Sequence, residues 1–579
     1  MSKKIITSAL PYPHGKLHLW RVVGAYLPAD IYARWSRAMG DDVIFISGTD
    51  DHGVGIEMEA DKRGWSYSQV VTYYRDMYRD NFASLGIEFD LFDGTDTAEH
   101  EQVSHEFFQK IYEQWLLLEK VSKQMYCVDC DKFLPDRYIQ GTCPHCKATG
   151  QNGDQCEVCG RMLSPVELID PYCKTCGSIQ LEMRETKHLQ FQLQDLQDEV
   201  AARLETKRGQ RKDNVVSTAL DKWIKDDLKP RDYTRDVKCG ISIPLAGYEN
   251  KTIYVWFEAP LGYISITQRY LDQQRKKDRE QGQGKRTMQD RWNNPDCELI
   301  HFIGKDNTVF HSISRPSQII AYNRVTDPKD HYILPTQIPA NEFLNLEGKK
   351  FSTSRGYAIW IEDIVRDYDP EFVRYYLTNI IPETSDSNFY WQEFQDYANN
   401  LTDVVGNLVS RVSNLLLVYN EWLPSPLSEL TLESIDQALI QRISQTRDGI
   451  ISSMTEFRMR ESIASSIDLF REINKYLTDS TPWVIGKTDP DRASEILSVS
   501  AITLICAAQL LKPFLPTTSL KILDLFGVTI DTGYNQISAD QSFDRVAIKT
   551  KPYHLFTKIT DEQIQWEVDK LQAIIAESE

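Results

Sequence analysis

Two spacings of apolar residues divide this chain. In the first, short apolar runs alternate with helix-spaced stretches. Lys4 to Ser8 reads as a buried strand, and Leu19, Val22, Val23, Tyr26, Leu27, Ile31 and Tyr32 then recur at the spacing of a helix that begins near Leu17. Val43 to Ser47 reads as a second strand, ending in Gly48-Thr49-Asp50-Asp51-His52-Gly53; Thr252 to Phe257 and Glu298 to Gly304 read as two more. Residues 116–180 interrupt this alternation like an insertion, and a polar helical stretch completes it to about 235. Residues 278–290, rich in Gln, Gly and Lys, read as a mobile surface loop. From about 395 the second spacing takes over, with Leu401, Val404, Val405, Leu408, Val409 and Val412, then Ile440, Ile443, Ile450, Met454 and Phe457. That pattern predicts a helical bundle to about 540, followed by a last helix from about Asp561 to Ala576.

Strand, Pro/Gly loop and helix in that order form the first crossover of a nucleotide-binding α/β sheet, whose ligands sit at the carboxyl ends of the strands. A histidine in the first turn of that helix, His18, is then expected near free backbone N–H groups and the positive end of the helix dipole, where phosphates bind.

Composition narrows the class. At 579 residues the chain has room for several cores. No apolar run approaches the roughly 20 residues of a membrane span, and the N-terminus lacks the long apolar stretch of a signal peptide. A cytoplasmic location without a membrane partner is expected. The net charge of -19 argues against generic nucleic-acid binding, DNA included, and confines any such contact to a restricted face.

Eight of the eleven cysteines form four C-x-x-C pairs: Cys127/Cys130, Cys143/Cys146, Cys156/Cys159 and Cys173/Cys176. A two-residue spacer lets two thiolates reach one tetrahedral zinc. Nesting assigns Cys143, Cys146, Cys156 and Cys159 to one ion and Cys127, Cys130, Cys173 and Cys176 to another, because the segment between Cys146 and Cys156 is short and polar. Four thiolates leave zinc no position for water, so such sites are structural.

In order along the chain, Ala9 to Tyr12, Gly48 to Gly53, the four cysteine pairs, Tyr254 to Pro260, His301 to Asp306 and Lys350 to Arg355 together resemble the methionyl-tRNA synthetase family of class I aminoacyl-tRNA synthetases. The resemblance covers essentially the whole chain. It implies a Rossmann-type catalytic domain in two halves, 1–115 and 236–335, split by a connective insertion with zinc knuckles, 116–235. It further implies a stem-contact region, 336–395, an all-α anticodon-binding domain, 396–540, and a helical extension, 541–579. The implied reaction joins methionine to ATP, carried with Mg2+, and passes the methionyl group to tRNA. Carried over by position, His18, Arg21, Lys350, Ser352, Thr353 and Ser354 serve catalysis, and Tyr12, His18, Gly304, Asp306 and Lys350 meet ATP. Asp50 holds the substrate ammonium, while Leu10, Tyr12, Trp256, Ala259, Pro260, Tyr263, His311 and Arg315 form the amino-acid pocket. An aromatic, apolar cavity suits a polarizable thioether. Asn407, Arg411 and Trp483 fall where the family reads the anticodon. The resemblance further implies that many members dimerise through a C-terminal domain for which this chain is expected to be too short, so a monomer is expected.

Four positions depart from the family's pattern. Trp20 replaces a signature glycine and puts a ring where adenine packs, Arg21 replaces a histidine, and Thr353 replaces a lysine of the second signature. Arg315 replaces an aromatic of the methionine pocket; pointing inward it opposes methionine, and snorkelling outward it leaves the pocket open to it. Besides a methionine-tRNA ligase, these departures admit a paralogue that activates another amino acid or acylates a small molecule, and a tRNA-binding protein with an impaired catalytic site.

Overall fold

Ile5 and Ile6 are wholly buried because their strand is the middle one of five. In the computed structural model, Lys3–Ser8 pairs in parallel with Asp42–Thr49 on one side and Cys297–Gly304 on the other. Leu91–Gly94 and Ala340–Asn341 complete the sheet, both parallel. The chain builds outward from the first strand in one direction, then returns to build in the other. The carboxyl ends of Lys3–Ser8 and Cys297–Gly304 therefore flank a topological switch point, where such sheets bind ligands. The structure describes residues 2–135, 138–153, 156, 163, 165–207, 215, 218–225, 227–281, 286–352, 356–419, 427, 430–528, 533–540, 548 and 553–578.

The helix after the first strand begins at Leu19, two residues later than the apolar pattern suggested, and runs to Ala38 through a π-helical stretch, Val22–Tyr26. His18 caps it in extended conformation. The segment Thr252 to Phe257 corrects the sequence reading. Only Thr252–Ile253 is strand; Val255–Glu258 is a helical turn leading through Ala259–Leu261 into the helix Gly262–Gln281. A short apolar run has no periodicity to separate a strand from a buried helical turn. The same helix takes in 278–281, so that part of the expected loop is helical.

The insertion is built on a two-stranded ribbon, Leu117–Cys127 against Leu181–Phe191, paired from Leu117↔Phe191 to Cys127↔Leu181. At its far end lies a small sheet of Gln151–Asn152, Ile139–Thr142 and Ile169–Cys173, whose middle strand leads directly into Cys143 and whose last strand ends on Cys173.

The C-terminal third is helical. Trp391–Tyr419 and Pro490–Leu511 are long and apolar enough, by length and composition, to cross a membrane, which corrects the expectation that no run approaches that length. The second is 89% buried at the centre of the bundle, packed by Ser434–Thr455, Met459–Ser480 and Pro516–Leu525. Arg374, wholly buried, ties this bundle to the sheet: it donates to Asp30 Oδ2 at 2.9 Å, to the Leu85 carbonyl at 3.0 Å and to the Phe514 carbonyl at 2.9 Å. The last helix, Asp561–Ser578, buries Ile564 and Leu571 and is held to Trp391–Leu401 by Gln395 donating to Asp561 at 2.7 Å.

Candidate active site

A cleft of about 1690 Å³ opens at the switch point, lined by Leu10, Tyr12, Trp20, Arg21, Asp50, Trp256, Gly304 and Asp306 among others. Tyr12 fixes the glycines of the facing loop. A Cβ on Gly53, where φ is +97°, would fall 2.2 Å from the Tyr12 hydroxyl, and one on Gly55 would fall 2.6 Å from the ring. The π-helical stretch turns Gly24 and Ala25 into the cleft wall, and Gly24 faces open space.

Asp50 is 7% exposed, its N–H donates to the Pro11 carbonyl at 3.0 Å, and its Oδ1 has no hydrogen-bond partner. Burial, then the charges of Glu258 and Asp51, push its carboxyl well above the usual carboxylate range. A cation in the cleft would relieve all three, which is what a substrate ammonium supplies. Beside it lies an arrangement that sequence reasoning missed. Glu258, wholly buried, accepts from His52 Nδ1 at 2.9 Å and from His100 Nε2 at 2.6 Å. Glu258 stands in the resembling stretch Tyr254 to Pro260 and His52 in Gly48 to Gly53, but nothing in the sequence joins them to His100.

Ala259, Pro260, Tyr263, His311 and Arg315 form a buried layer that does not line the cleft. The Asn307 carbonyl can only accept, so His311 Nδ1 carries the proton toward it at 3.0 Å, and His311 Nε2 accepts from the Tyr263 hydroxyl at 2.9 Å. Burial holds His311 neutral, its pKa lowered to about 4. Arg315 points inward. Its Nη1 donates to His301 Nε2 at 2.7 Å, which obliges His301 Nδ1 to donate to the Thr7 hydroxyl at 2.5 Å. The guanidinium lies 5.1 Å from the Trp292 ring and 5.6 Å from that of Tyr263. Its Nε and Nη2 have no partner, and burial lowers its pKa to about 10.

His18 does not line the cleft. It is 2% exposed, with Trp20 stacked at 5.7 Å, Phe351 stacked at 5.4 Å and Trp360 edge-on at 6.3 Å. Burial, then the charge of Arg21, lowers its pKa to about 3, and its Nδ1 has no hydrogen-bond partner. Trp20 stays half-buried in the cleft wall, edge-on to Phe343 at 5.1 Å. Lys350 is exposed on the short strand Lys349–Lys350, and Ser352 bonds its N–H to the Tyr357 carbonyl at 2.9 Å. Thr353 and Ser354 lie outside the described residues.

The cysteines cluster as nesting predicts. The sulfurs of Cys127, Cys130, Cys173 and Cys176 all lie within 4.8 Å of one another, and so do those of Cys143, Cys146 and Cys156; Cys159 lies outside the described residues. Sγ separations of 3.7 Å for Cys127/Cys176, 3.8 Å for Cys130/Cys173 and 3.5 Å for Cys146/Cys156 fit thiolates about 2.3 Å from one tetrahedral zinc. The ribbon register explains the grouping, since it closes Cys127 and Cys130 onto Cys173 and Cys176.

In the bundle, the Arg411 guanidinium lies over the Trp483 ring, 4.5 Å from its centroid. Asn407 is one turn earlier on the same helix, exposed, and donates to Asp403 at 3.1 Å.

The family model described as tRNA synthetases class I (M) matches residues 4–413, and that described as the anticodon binding domain of methionyl tRNA ligase matches 429–573. The chain is 38% identical over 574 residues to a methionine--tRNA ligase of Cytophaga hutchinsonii, covering 99% of this chain and 81% of that protein. It is 35% identical over 582 residues to one of Methanopyrus kandleri, covering 100% and 82%. The methionyl-tRNA synthetase of Mycobacterium tuberculosis, solved bound by methionyl-adenylate, shares the fold with a TM-score of 0.75 at 19% identity, over 96% of this chain and 100% of that one. With a class I tRNA synthetase model matching residues 4–413 and relatives of one name aligned over nearly all of this chain, the chain belongs to the methionine-tRNA ligase family of class I tRNA synthetases.

Proposed function

We propose that this chain joins methionine to ATP, releasing pyrophosphate, and transfers the methionyl group from the adenylate to the terminal ribose of tRNA, releasing AMP. The observation that carries this reading is Asp50, a buried carboxyl with an unpartnered oxygen at the carboxyl edge of the sheet. Asp50 takes the ammonium, and Leu10, Tyr12 and Trp256, which line the cleft, receive the side chain, backed by the buried layer of Ala259, Pro260, Tyr263 and His311. Gly304, where a Cβ would meet Asp306 at 2.7 Å, and Asp306 itself meet the ribose of ATP. Arg21, which lines the cleft, and Lys350, with the second signature, stabilise charge on the phosphates, which arrive with Mg2+. ATP enters once Trp20 leaves its stack. The two cysteine cages hold structural zinc, and Asn407, Arg411 and Trp483 read the anticodon. Residues 1–115 and 236–335 act as the catalytic halves, 116–235 as the knuckle insertion, 336–395 as the stem contact, 396–540 as the anticodon domain and 541–579 as its extension. The protein works as a cytoplasmic monomer, without DNA or membrane partners.

Pyrophosphate exchange into ATP, run with each amino acid in turn, tests this. Methionine alone is expected to drive exchange, and silence with methionine overturns the reading. The inward guanidinium of Arg315 favours a second reading, activation of a different amino acid, for which exchange would respond to that amino acid instead.

A further inference from the structure

Three carboxyl groups, Asp50, Asp51 and Glu258, are buried together at the amino-acid end of the cleft. Two of them have cationic or imidazole partners. Asp51 receives the Arg75 guanidinium and the N–H groups of Thr95 and Asp96, at 2.5 and 3.2 Å for the last two. Glu258 is gripped on one oxygen by His52 and on the other by His100. Of the three, Asp50 is the one with no ion pair among the described residues, and one of its oxygens, like one of Asp51's, has no hydrogen bond.

Glu258 joins three parts of the chain. His52 belongs to the loop that carries Asp50, two residues away. His100 belongs to the helix Ala98–Tyr112 and is itself oriented by the Ser265 hydroxyl at 3.0 Å. Glu258 follows Trp256 and precedes Ala259 and Pro260. The loop that offers the ammonium contact and the segment that walls the side-chain pocket are thus clamped at one carboxylate.

We propose that Glu258 is a positioning residue of the amino-acid site: held between His52 and His100, it fixes the Asp50 loop against the Trp256 to Pro260 segment and, through its charge and that of His52, sets how readily Asp50 accepts the substrate ammonium. This rests on the reading of Asp50 as the ammonium site. The charges around it are few. His52 faces Glu258, Asp51 and Asp96; Glu258 faces His52, His100 and Asp50, with the hydroxyls of Tyr12 and Tyr233 and the Cys239 thiol on the other elements packed nearby. Burial alone would lower the His52 imidazole, but Glu258 overrides it and raises its pKa. Burial would likewise raise Glu258, but His52 and His100 keep it below the usual range. Glu258 and His52 thus each favour the other's charged form, and of the clamp's members Glu258 acts most directly on Asp50.

Two substitutions move Asp50 in opposite directions. Glu258→Gln removes a repelling charge, so Asp50 ionises at lower pH; His52→Gln leaves Glu258 without its cation, so Asp50 ionises at higher pH. In pyrophosphate exchange, the acidic limb of kcat/KM for methionine is expected to shift down by about one pH unit in the first variant and up in the second, with the KM for ATP as control. A purely structural role would raise KM without moving the limb. Limbs that stay at the wild-type position, or move the same way in both variants, overturn the proposal. Carboxyl carbon NMR titration of Asp50, assigned with Asp50→Asn, reads the same shifts without turnover. Silence toward methionine with shifted Asp50 titrations would sink the proposed substrate and leave this role standing; normal exchange with unmoved titrations would do the reverse.

Discussion

Trp20 is stacked on His18, their ring centroids 5.7 Å apart and their planes 15° from parallel, and Phe351 stacks on His18 at 5.4 Å and 27°. The two signature segments, far apart in sequence, are thereby held together by aromatic contact. The ring that replaces the family's glycine occupies the cleft wall where the adenine shelf is expected.

From that contact follows the effect of Trp20→Gly. ATP must displace the indole from His18 and from Phe343, and offset aromatic pairs contribute about 0.5–1.5 kcal/mol each. Removing the ring should lower the KM for ATP in pyrophosphate exchange by about tenfold, at a stability cost of about 1 kcal/mol for a helical glycine. An unchanged KM for ATP would mean that Trp20 already lies clear of the nucleotide.

His18 makes stability depend on pH. Its folded pKa of about 3 lies below the usual 6.5, so between those values the unfolded chain takes up a proton that the folded chain refuses. The stability it contributes is complete above pH 6.5 and is lost as pH falls from 6.5 toward 3. His311, held at about 4, acts in the same direction within that window. His18→Phe keeps a ring in the stack and removes the titration, so its unfolding free energy should fall less between pH 6.5 and 4 than that of the wild type, by on the order of 3 kcal/mol. Parallel pH curves for the two proteins would refute this.

Much of this was legible in the sequence, and the exceptions share a physical cause. Three strands of the sheet, Lys3–Ser8, Asp42–Thr49 and Cys297–Gly304, and the nested cysteines could be placed because each depends on a local signal, an apolar run or a two-residue spacer; the short strands Leu91–Gly94 and Ala340–Asn341 went unread. Thr252 to Phe257 was misread because a short apolar run carries no period. The clamp of His52, His100 and Glu258 was invisible, since three separated segments meet only in the fold. The inward course of Arg315 was one of two open readings, because the direction of a side chain depends on what packs around Trp292 and Tyr263. His18 was expected beside phosphates and is instead enclosed by aromatics that no spacing announces.

Arg315 carries its own prediction. A buried cation with two unpartnered nitrogens is costly, and replacing such a group by an apolar side chain of similar length is often neutral or stabilising. His301 Nε2 loses its donor in exchange, a cost of about 1–3 kcal/mol. Arg315→Met should therefore leave the thermal midpoint within a few degrees of the wild type while lowering the KM for methionine severalfold. A rise in that KM would show that the guanidinium supports the methionine pocket.

The cysteine cages predict metal dependence. Thiolates must be deprotonated to bind zinc, and the metal is part of the folding energy of such knuckles. Metal analysis of the purified protein should give two zinc ions per chain, and Cys173→Ser should remove one of them together with the protease resistance of the ribbon's end. Full resistance after zinc is stripped would show that the insertion folds without metal.

Arg411 and Trp483 separate the two halves of the reaction. The guanidinium already covers one face of the indole at 4.5 Å, so a splayed base can join the stack only on the other face or by displacing Arg411. Stacking of one base contributes about 1–3 kcal/mol, which corresponds to roughly ten- to hundredfold in kcat/KM for tRNA. Neither residue lies near the cleft, so Trp483→Ala should lower aminoacylation by that factor and leave methionine-dependent pyrophosphate exchange at the wild-type rate. Arg411→Ala should lower aminoacylation too, but it frees a face of Trp483, so its loss should be the smaller of the two. Equal losses in exchange and aminoacylation would point to a damaged bundle, transmitted to the sheet through Arg374 and Asp30, in place of lost anticodon contact.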